Sequence, residues 1–171
     1  MTRPLRLFPL LLCLLLAGCN TAAAVGERPI AVGFSCTAQG TYHGDEVAGK
    51  IERSSAGLLS FTLTKPDELN GLTMTWDGQT VTLGMLGLEW SLSPEKVPSA
   101  ALGKRLLQAL DAVVYTTTEG VLTDDGRRKT TGEAEKGVTY TLYSDPKTGA
   151  LLSLEVPAEE LQLTFEDFTK I

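Results

Sequence analysis

From Ile30 onward the chain alternates hydrophobic and polar residues with a period of two, a pattern typical of β-strands that are buried on one face. The first run places five residues on one side, namely Ile30, Val32, Phe34, Cys36 and Ala38. Similar runs follow around residues 47–51, 59–63, 72–76, 80–83, 88–92, 115–122, 127–135, 138–142, 152–156 and 161–165. The run at 88–92 is either a strand of its own or a continuation of the preceding one. The pattern predicts about nine or ten antiparallel strands joined by short turns.

One stretch in the middle of the chain departs from this period. Between Ala101 and Val114 the hydrophobic residues recur at three- and four-residue spacings, which predicts an amphipathic helix. Pro98 suits the first turn of that helix, and Ser99 is a candidate cap. The apolar stripe of the helix must be buried, most simply against the sheet. We therefore expect a mainly β (α+β) domain.

The N-terminal segment has a third pattern. Arg3 and Arg6 precede an apolar run of about a dozen residues, and the run closes with Leu16-Ala17-Gly18-Cys19. A charged start, an apolar middle and small residues before a cleavage point are typical of a secretory signal. The run is shorter than the roughly 20 residues that span a bilayer. It is therefore expected to be a removable signal.

The end of this segment resembles the lipobox of bacterial lipoproteins. In that family the cysteine, here Cys19, carries a diacylglyceryl group, and the signal is cleaved between Gly18 and Cys19. The alternative is an ordinary secretory signal with a chance cysteine. The resemblance implies a signal peptide at 1–18, a lipidated tether at 19–29 and a domain at 30–171. Two acyl chains anchor stably, so we expect the domain at the extracytoplasmic side of the cell membrane.

Net charge limits the partners of the domain. The whole chain has a formal charge of −6, and removal of the signal leaves 13 basic and 21 acidic residues, a charge of −8. An acidic surface argues against nucleic acid as a partner and against charge-driven docking on anionic headgroups. The expected contact with the membrane is therefore the lipid on Cys19.

Few residues suit catalysis or metal binding. His43 is the only histidine and lies in a turn-like stretch, so we interpret it as a solvated loop residue. Cys36 would be the only cysteine left without a lipid, and we expect a small core residue rather than a reactive thiol. The carboxylate pairs at 124–125 and 159–160 are interpreted as solvated turns. No serine-nucleophile or phosphate-binding glycine motif occurs, so we predict a protein without enzymatic activity, cofactor or metal.

Large apolar side chains are the remaining candidates for a functional site. They are Phe34, Phe61, Met74, Trp76, Met85 and Trp90. On one concave face of the sheet they would line a pocket for an acyl chain or for an apolar segment of a partner. The alternative is that they form the core beneath the helix.

The order of strands, mid-chain helix and further strands resembles the LolA-like superfamily of periplasmic lipoprotein carriers. Residues 139–156 are similar to a hairpin of that family, with Asp145 and Thr148-Gly149 before a hydrophobic strand. Residues 65–81 are similar to another, in which a proline precedes the Asp77-Gly78 turn. The resemblance implies a curved, half-barrel antiparallel sheet with the helix on its concave face.

The resemblance also implies a function. Members of the superfamily bind apolar cargo, and a chain tethered at Cys19 would be a stationary binder rather than a shuttle. We therefore expect a membrane-anchored lipoprotein that binds a lipid chain or a hydrophobic partner segment. The alternative is a structural or regulatory envelope lipoprotein that acts through protein–protein contacts and has no ligand cavity.

Overall fold

The computed structural model describes residues 30–97, 101–115, 120–135 and 137–171. Within these ranges eleven strands and one α-helix are present, and the helix α1 is Leu102–Tyr115. The strands are, in chain order, β1 Phe34–Tyr42, β2 Asp45–Arg53, β3 Leu59–Lys65, β4 Thr73–Trp76, β5 Val81–Met85, β6 Leu88–Leu92, β7 Val121–Leu122, β8 Arg128–Glu135, β9 Val138–Ser144, β10 Leu151–Val156 and β11 Leu161–Lys170. Short 3-10 turns occur at Asp67–Leu69, Pro94–Lys96 and Pro157–Glu159.

The eleven strands form a single antiparallel sheet in the order β6-β5-β4-β3-β2-β1-β11-β10-β9-β8-β7. Neighbours in the sheet are neighbours in the chain, except that β1 pairs with β11 and so joins the two halves. Strands β6 and β7 are the two edges, and the sheet is not closed into a barrel. The connection from one edge to the other contains α1. The predicted mainly β fold with one helix is confirmed.

The count of strands exceeds the nine or ten expected because residues 88–92 form a strand of their own. Leu86 and Gly87 make the tight turn that separates β6 from β5, and both have positive φ, 53° and 80°. A two-residue turn of this kind matches the right-handed twist of a hairpin. The hairpin therefore reverses the chain fully instead of forming a bulge.

One face of the sheet carries the core. Side chains from the strands on both sides of the β1–β11 pairing alternate inward and are buried, as the period of two predicts. Helix α1 lies on this face, where Leu106, Leu107, Leu110 and Val113 are almost completely buried. Each such side chain contributes about 1.5–3 kcal/mol by leaving water. The apolar stripe of the helix thus packs on the sheet, as expected.

Two ion pairs fix the helix over the sheet. The guanidinium of Arg53, on β2, is completely buried and lies 3.2 Å from Asp111 Oδ1 in the second half of α1. Arg105, in the first half, lies 2.8 Å from Glu159 Oε1 in a 3-10 turn. Because the two contacts lie on different turns of the helix, they define its position along the sheet.

The strand predicted at 115–122 is wrong at Tyr115, which ends helix α1. Its last two residues, Val121 and Leu122, form β7, and residues 116–119 lie outside the described residues. Val113 and Val114 have high β propensity, but both are buried in the helix–sheet interface, and such packing overrides local propensity. The predicted strand at 127–135 is present as β8, and β7 pairs only with its residues Arg128 and Lys129.

Several predictions lie outside the described residues. They are the signal peptide, the cleavage site at Gly18 and Cys19, the tether up to Pro29, and the helix start at Pro98 and Ser99. Within the described ranges, α1 falls short of the length and apolar character that a membrane-crossing helix needs.

Candidate apolar binding pocket

A pocket of about 290 Å³ opens between the start of α1 and the sheet. It lies at the end where β1 turns into β2 and where β3 leads through the Asp67–Leu69 turn to β4. Its lining consists of Tyr42, Asp45, Val47, Phe61, Leu63, Pro66, Leu69, Leu72, Met74, Ala101, Leu102 and Gly103. Asp45 is the one charged residue in that lining, so the surface offered to a ligand is apolar.

The floor of the pocket follows from the pairing of β3 with β4. Phe61 lies directly opposite Met74, and residues directly opposite in a sheet present their side chains on the same face. On the other face their neighbours Thr62 and Thr73 are joined by a hydroxyl hydrogen bond of 3.2 Å. The alternation therefore directs apolar groups into the pocket and hydroxyls away from it.

Gly103 sets how closely α1 approaches the floor. A Cβ at this position would overlap the Sδ atom of Met74. The absence of a side chain allows the first turn of the helix to rest on β4 and leaves Leu102 free to form the pocket wall. A larger residue at 103 would have to displace the Met74 side chain.

A buried ion pair supports the wall beside Tyr42. Arg105 donates from Nε to Glu159 Oε1 at 2.9 Å, and the Nε2 atom of His43 lies 3.9 Å from Glu159 Oε2. Burial and the charge of Glu159 raise the pKa of Tyr42, while the charge of Arg105 opposes that rise. The contacts tie the helix, the β1–β2 turn and the Pro157–Glu159 turn together. They therefore hold the pocket wall in place.

A cluster of exposed carboxylates, here called the acidic mouth, lies beside the pocket. Its residues are Asp45, Glu46, Lys65, Pro66, Asp67 and Glu68. Asp45 and Pro66 also line the apolar pocket, so the two spaces are adjacent. Lys65 Nζ donates to Asp67 Oδ1 at 2.8 Å. The hydrogen bond and charge of Asp67, with smaller contributions from Glu46 and Glu68, raise the pKa of Lys65.

The six apolar residues predicted for a pocket all lie on one face of the sheet. Opposed pairs run from Phe61 through Met74 and Leu83 to Trp90, so these four share a face. Met85 follows two residues after Leu83 and joins them. Opposed pairs from Phe34 through Arg53 and Leu59 to Trp76 place the remaining two there.

The pocket itself contains two of the six. Phe61 and Met74 line it. Phe34 is completely buried and stacks on Phe168 with ring centroids 5.4 Å apart. Trp76 is partly buried against the core, whereas Met85 and Trp90 lie in the β5–β6 hairpin. The six residues therefore form a strip along the sheet rather than one cluster.

Sequence reasoning missed most of the wall. Val47 and Leu63 lie on the same alternating face as Phe61, but their place in a pocket depends on which strand ends meet. Leu69 and Leu72 lie in the β3–β4 connection, which has no period to indicate where its side chains point. Leu102 was recognised only as part of the helix stripe. The one feature of the sequence that indicates this wall is the cluster of apolar residues at both ends of the β3–β4 connection.

The two candidate reactive side chains, Cys36 and His43, line neither the apolar pocket nor the acidic mouth. Cys36 is buried in β1, and burial raises the pKa of its thiol to about 12. A thiol that keeps its proton is a poor nucleophile and a poor metal ligand. His43 lies in the β1–β2 turn with its side chain half exposed. In the described ranges, no three His, Cys, Asp or Glu side chains are grouped so that they could hold a metal ion.

A second apolar surface lies on the β5–β6 hairpin. Leu86, at its tip, is 90% exposed, and Leu88 and Trp90 are 59% and 51% exposed. Leu88 lies opposite Met85, and Trp90 lies opposite Leu83, so this surface continues the core-bearing face of the sheet. Helix α1 does not bury it.

Together these features define an open antiparallel sheet protein with one helix and an apolar pocket at the helix start. No protein-family model matches the chain, and no curated protein matches it. An uncharacterized conserved protein from Thermus thermophilus aligns with a TM-score of 0.54 and 14% identity, over 86% of this chain and 83% of that one. This similarity shows a shared fold alone.

A LolA superfamily protein from Nitrosomonas europaea also aligns, over 86% of this chain and 89% of that one. The TM-score is 0.39 and the identity 6%, values at which an alignment assigns neither fold nor function. The LolA-like resemblance therefore still depends on the sequence pattern.

Proposed function

We propose that the chain is an extracytoplasmic lipoprotein, anchored through Cys19, whose sheet domain binds a lipid chain or an apolar segment of a partner without catalysis. The observation that carries the proposal is the pocket at the start of α1, because eleven of the twelve described residues that line it are uncharged. Ligand pockets typically measure about 300–1,000 Å³, so this one is at the small end of that range. It suits a short apolar group.

The position of the pocket is compatible with an anchor at the N-terminus. The chain enters the fold beside Gly149, whose carbonyl accepts a hydrogen bond from the Ala31 amide at 3.4 Å. Strand β1 then runs nine residues to Tyr42 at the pocket. At about 3.3 Å per residue, Phe34 and Tyr42 at the two ends of this strand lie about 26 Å apart. A tether attached at Ile30 would leave the pocket open at the far end of the domain.

Blocking the pocket tests the binding function. Leu72 is partly buried in the pocket wall, and Leu72→Trp would fill the space next to Met74. We expect the neutral dye N-phenyl-1-naphthylamine to fluoresce when bound to the native protein, and Leu72→Trp to weaken that binding at least about tenfold. Leu88→Trp adds the same ring outside the pocket and should leave binding unchanged. Equal dye binding by all three proteins would contradict the proposal.

The anchor is tested separately by membrane fractionation in a bacterial host. Cys19→Ala should move the protein from the membrane pellet to the soluble fraction, because the thiol that carries the lipid is lost. Cys36→Ala is the matched control and should remain in the pellet. A Cys19→Ala protein that still pellets with membranes contradicts lipidation at this residue.

One observation favours a second function. The β5–β6 hairpin exposes Leu86 at its tip and Leu88 and Trp90 on the edge strand β6, and apolar surface of this kind often marks a protein-binding site. In this alternative the protein acts through contacts of the hairpin with another envelope protein. Binding of that kind does not require the pocket, so Leu72→Trp would leave it intact.

A further inference from the structure

We infer that the pocket receives a peptide segment in which apolar side chains stand next to a lysine or arginine, and that it discriminates against anionic lipids. The inference rests on the proposed binding function of the pocket and names the chemistry of its occupant. Three properties support it: the charge at the acidic mouth, the small volume of the apolar pocket, and the two residues that border both spaces.

The acidic mouth carries excess negative charge. Four carboxylates, those of Asp45, Glu46, Asp67 and Glu68, surround it with one ammonium group. That ammonium, on Lys65, already pairs with Asp67 at 2.8 Å. Three carboxylates therefore remain without a cation among the residues that line the mouth. A fatty-acid carboxylate or a lipid phosphate placed there would meet like charge, whereas a basic side chain would be attracted.

The volume of the pocket suits a few apolar side chains. At about 290 Å³ the pocket is at the small end of the range for ligand pockets, about 300–1,000 Å³. This volume admits a short apolar sequence, and the charge at the acidic mouth distinguishes such a sequence from an anionic lipid.

The residues shared by the two spaces indicate where the charge of a ligand would lie. Asp45 and Pro66 border both the apolar pocket and the acidic mouth, so the two spaces are adjacent. The methylene stem of a lysine or arginine packs on apolar surface while its charged end reaches water or a carboxylate. A basic residue adjacent in sequence to the buried apolar residues would thus lie at Asp45.

The test uses three blocked peptides that differ in one charge, with the sequences Gly-Leu-Leu-Lys-Gly, Gly-Leu-Leu-Gln-Gly and Gly-Leu-Leu-Glu-Gly. Each competes with N-phenyl-1-naphthylamine for the full chain at low ionic strength. We expect the lysine peptide to bind about tenfold more tightly than the glutamate peptide, with the glutamine peptide between them. The ratio should fall toward one as salt screens the carboxylates, because they are exposed.

Variants locate the effect at the mouth. Glu46→Gln combined with Glu68→Gln removes two carboxylates of the mouth that do not line the apolar pocket, and should strongly reduce the preference for lysine. Glu89→Gln combined with Asp124→Asn changes the net charge equally at two exposed sites outside the mouth and should preserve the preference. A preference that both double variants retain, or that both lose, would overturn the inference.

Three outcomes distinguish a failure of this inference from a failure of the proposed function. If the dye binds in the pocket but the three peptides compete equally, the charge preference is wrong and the apolar-binding function stands. If oleate displaces the dye better than the lysine peptide does, the occupant is a lipid chain and the inference fails. If Leu72→Trp leaves dye binding unchanged, the pocket is not the binding site and both fail.

Discussion

Two regions of the same sheet face have opposite exposure. In the strands that α1 crosses, the inward side chains are buried, and Leu110 of the helix has no accessible surface. On the outer strand β6, Leu88 and Trp90 lie on that same face, and each shows more than half of its surface. Both regions have the same alternation of hydrophobic and polar residues. The pattern therefore determines which residues share a face, but not whether anything covers that face.

Simple dimensions explain the difference. Eleven strands at about 4.8 Å per step make a sheet about 48 Å wide. The fourteen residues of α1 make a helix about 21 Å long and about 10 Å across. One such helix cannot cover the whole face unless the sheet closes around it, and this sheet stays open. The pocket lies at the start of α1, where the helix begins to cover the sheet. The exposed β5–β6 hairpin lies outside the area that the helix covers.

The largest effect on stability is expected when the buried ion pair that holds α1 on the sheet is broken. Arg105→Met leaves the carboxylate of Glu159 buried without its cation, and breaking such a pair costs about 3–5 kcal/mol. Urea denaturation followed by circular dichroism measures the free energy of unfolding.

Two controls distinguish a buried charge from a lost contact. Arg105→Met combined with Glu159→Leu should recover much of the stability, because no buried charge remains. Lys50→Met removes a partner of the exposed Lys50–Glu52 pair and should cost no more than about 1 kcal/mol. Equal losses in Arg105→Met and Lys50→Met would show that the Arg105–Glu159 pair does not hold the helix.

A matched pair of leucine truncations compares the two regions directly. Leu110→Ala removes a fully buried side chain at the helix–sheet interface and should cost about 2–5 kcal/mol. Leu88→Ala removes the same atoms from the exposed hairpin and should cost about 0.5 kcal/mol or less. The midpoints of urea unfolding give both values. Similar costs would mean that the hairpin is covered in solution.

Much of this fold follows from local patterns. The period of two places Phe34, Phe61 and Trp90 on one face, and the helical spacing from Ala101 to Val114 identifies α1 and its buried stripe. The end of the helix could not be predicted in the same way. Val113 and Val114 suit a strand by propensity, but their burial against the sheet keeps them helical.

The pocket is less accessible to sequence reasoning. Phe61 and Met74 were predicted because they are large and apolar, but so was Phe34, which is sealed beneath Phe168. The difference depends on position relative to the helix start. That position follows from long-range contacts such as the Arg105–Glu159 pair, whose residues are 54 apart in the chain. No local pattern encodes a contact of this kind.

A third effect on stability is expected from the thiol of Cys36, which is buried in β1. Burial raises the pKa of Cys36 from its ordinary value near 9 to about 12. The unfolded chain would lose this proton near pH 9, whereas the folded chain keeps it to about pH 12. The stability that Cys36 contributes is therefore complete below pH 9 and declines as the pH rises from about 9 to 12. Urea unfolding at about pH 8 and pH 10.5 measures that decline.

Cys36→Ala is the reference, since it lacks the thiol but keeps Tyr140, whose pKa burial also raises. The native protein should lose more stability than Cys36→Ala over the same pH interval. A parallel decline of the two proteins would show that the thiol ionises as freely in the folded state as in the unfolded one. Cys36 would then be accessible to water despite its position in β1.

The smallest effect on stability is expected at Trp90. Because its side chain is half exposed at the edge of the sheet, Trp90→Ser should change the free energy of unfolding by about 0.5 kcal/mol or less. If the hairpin is a protein-binding surface, the same change should reduce cross-linking to envelope proteins in intact cells, while N-phenyl-1-naphthylamine binding stays as in the native protein. Leu72→Trp should have the reverse effect, because it fills the pocket and leaves the hairpin unchanged. Loss of dye binding in Trp90→Ser would contradict this separation, and would show that the pocket and the hairpin form one continuous site along the face of the sheet.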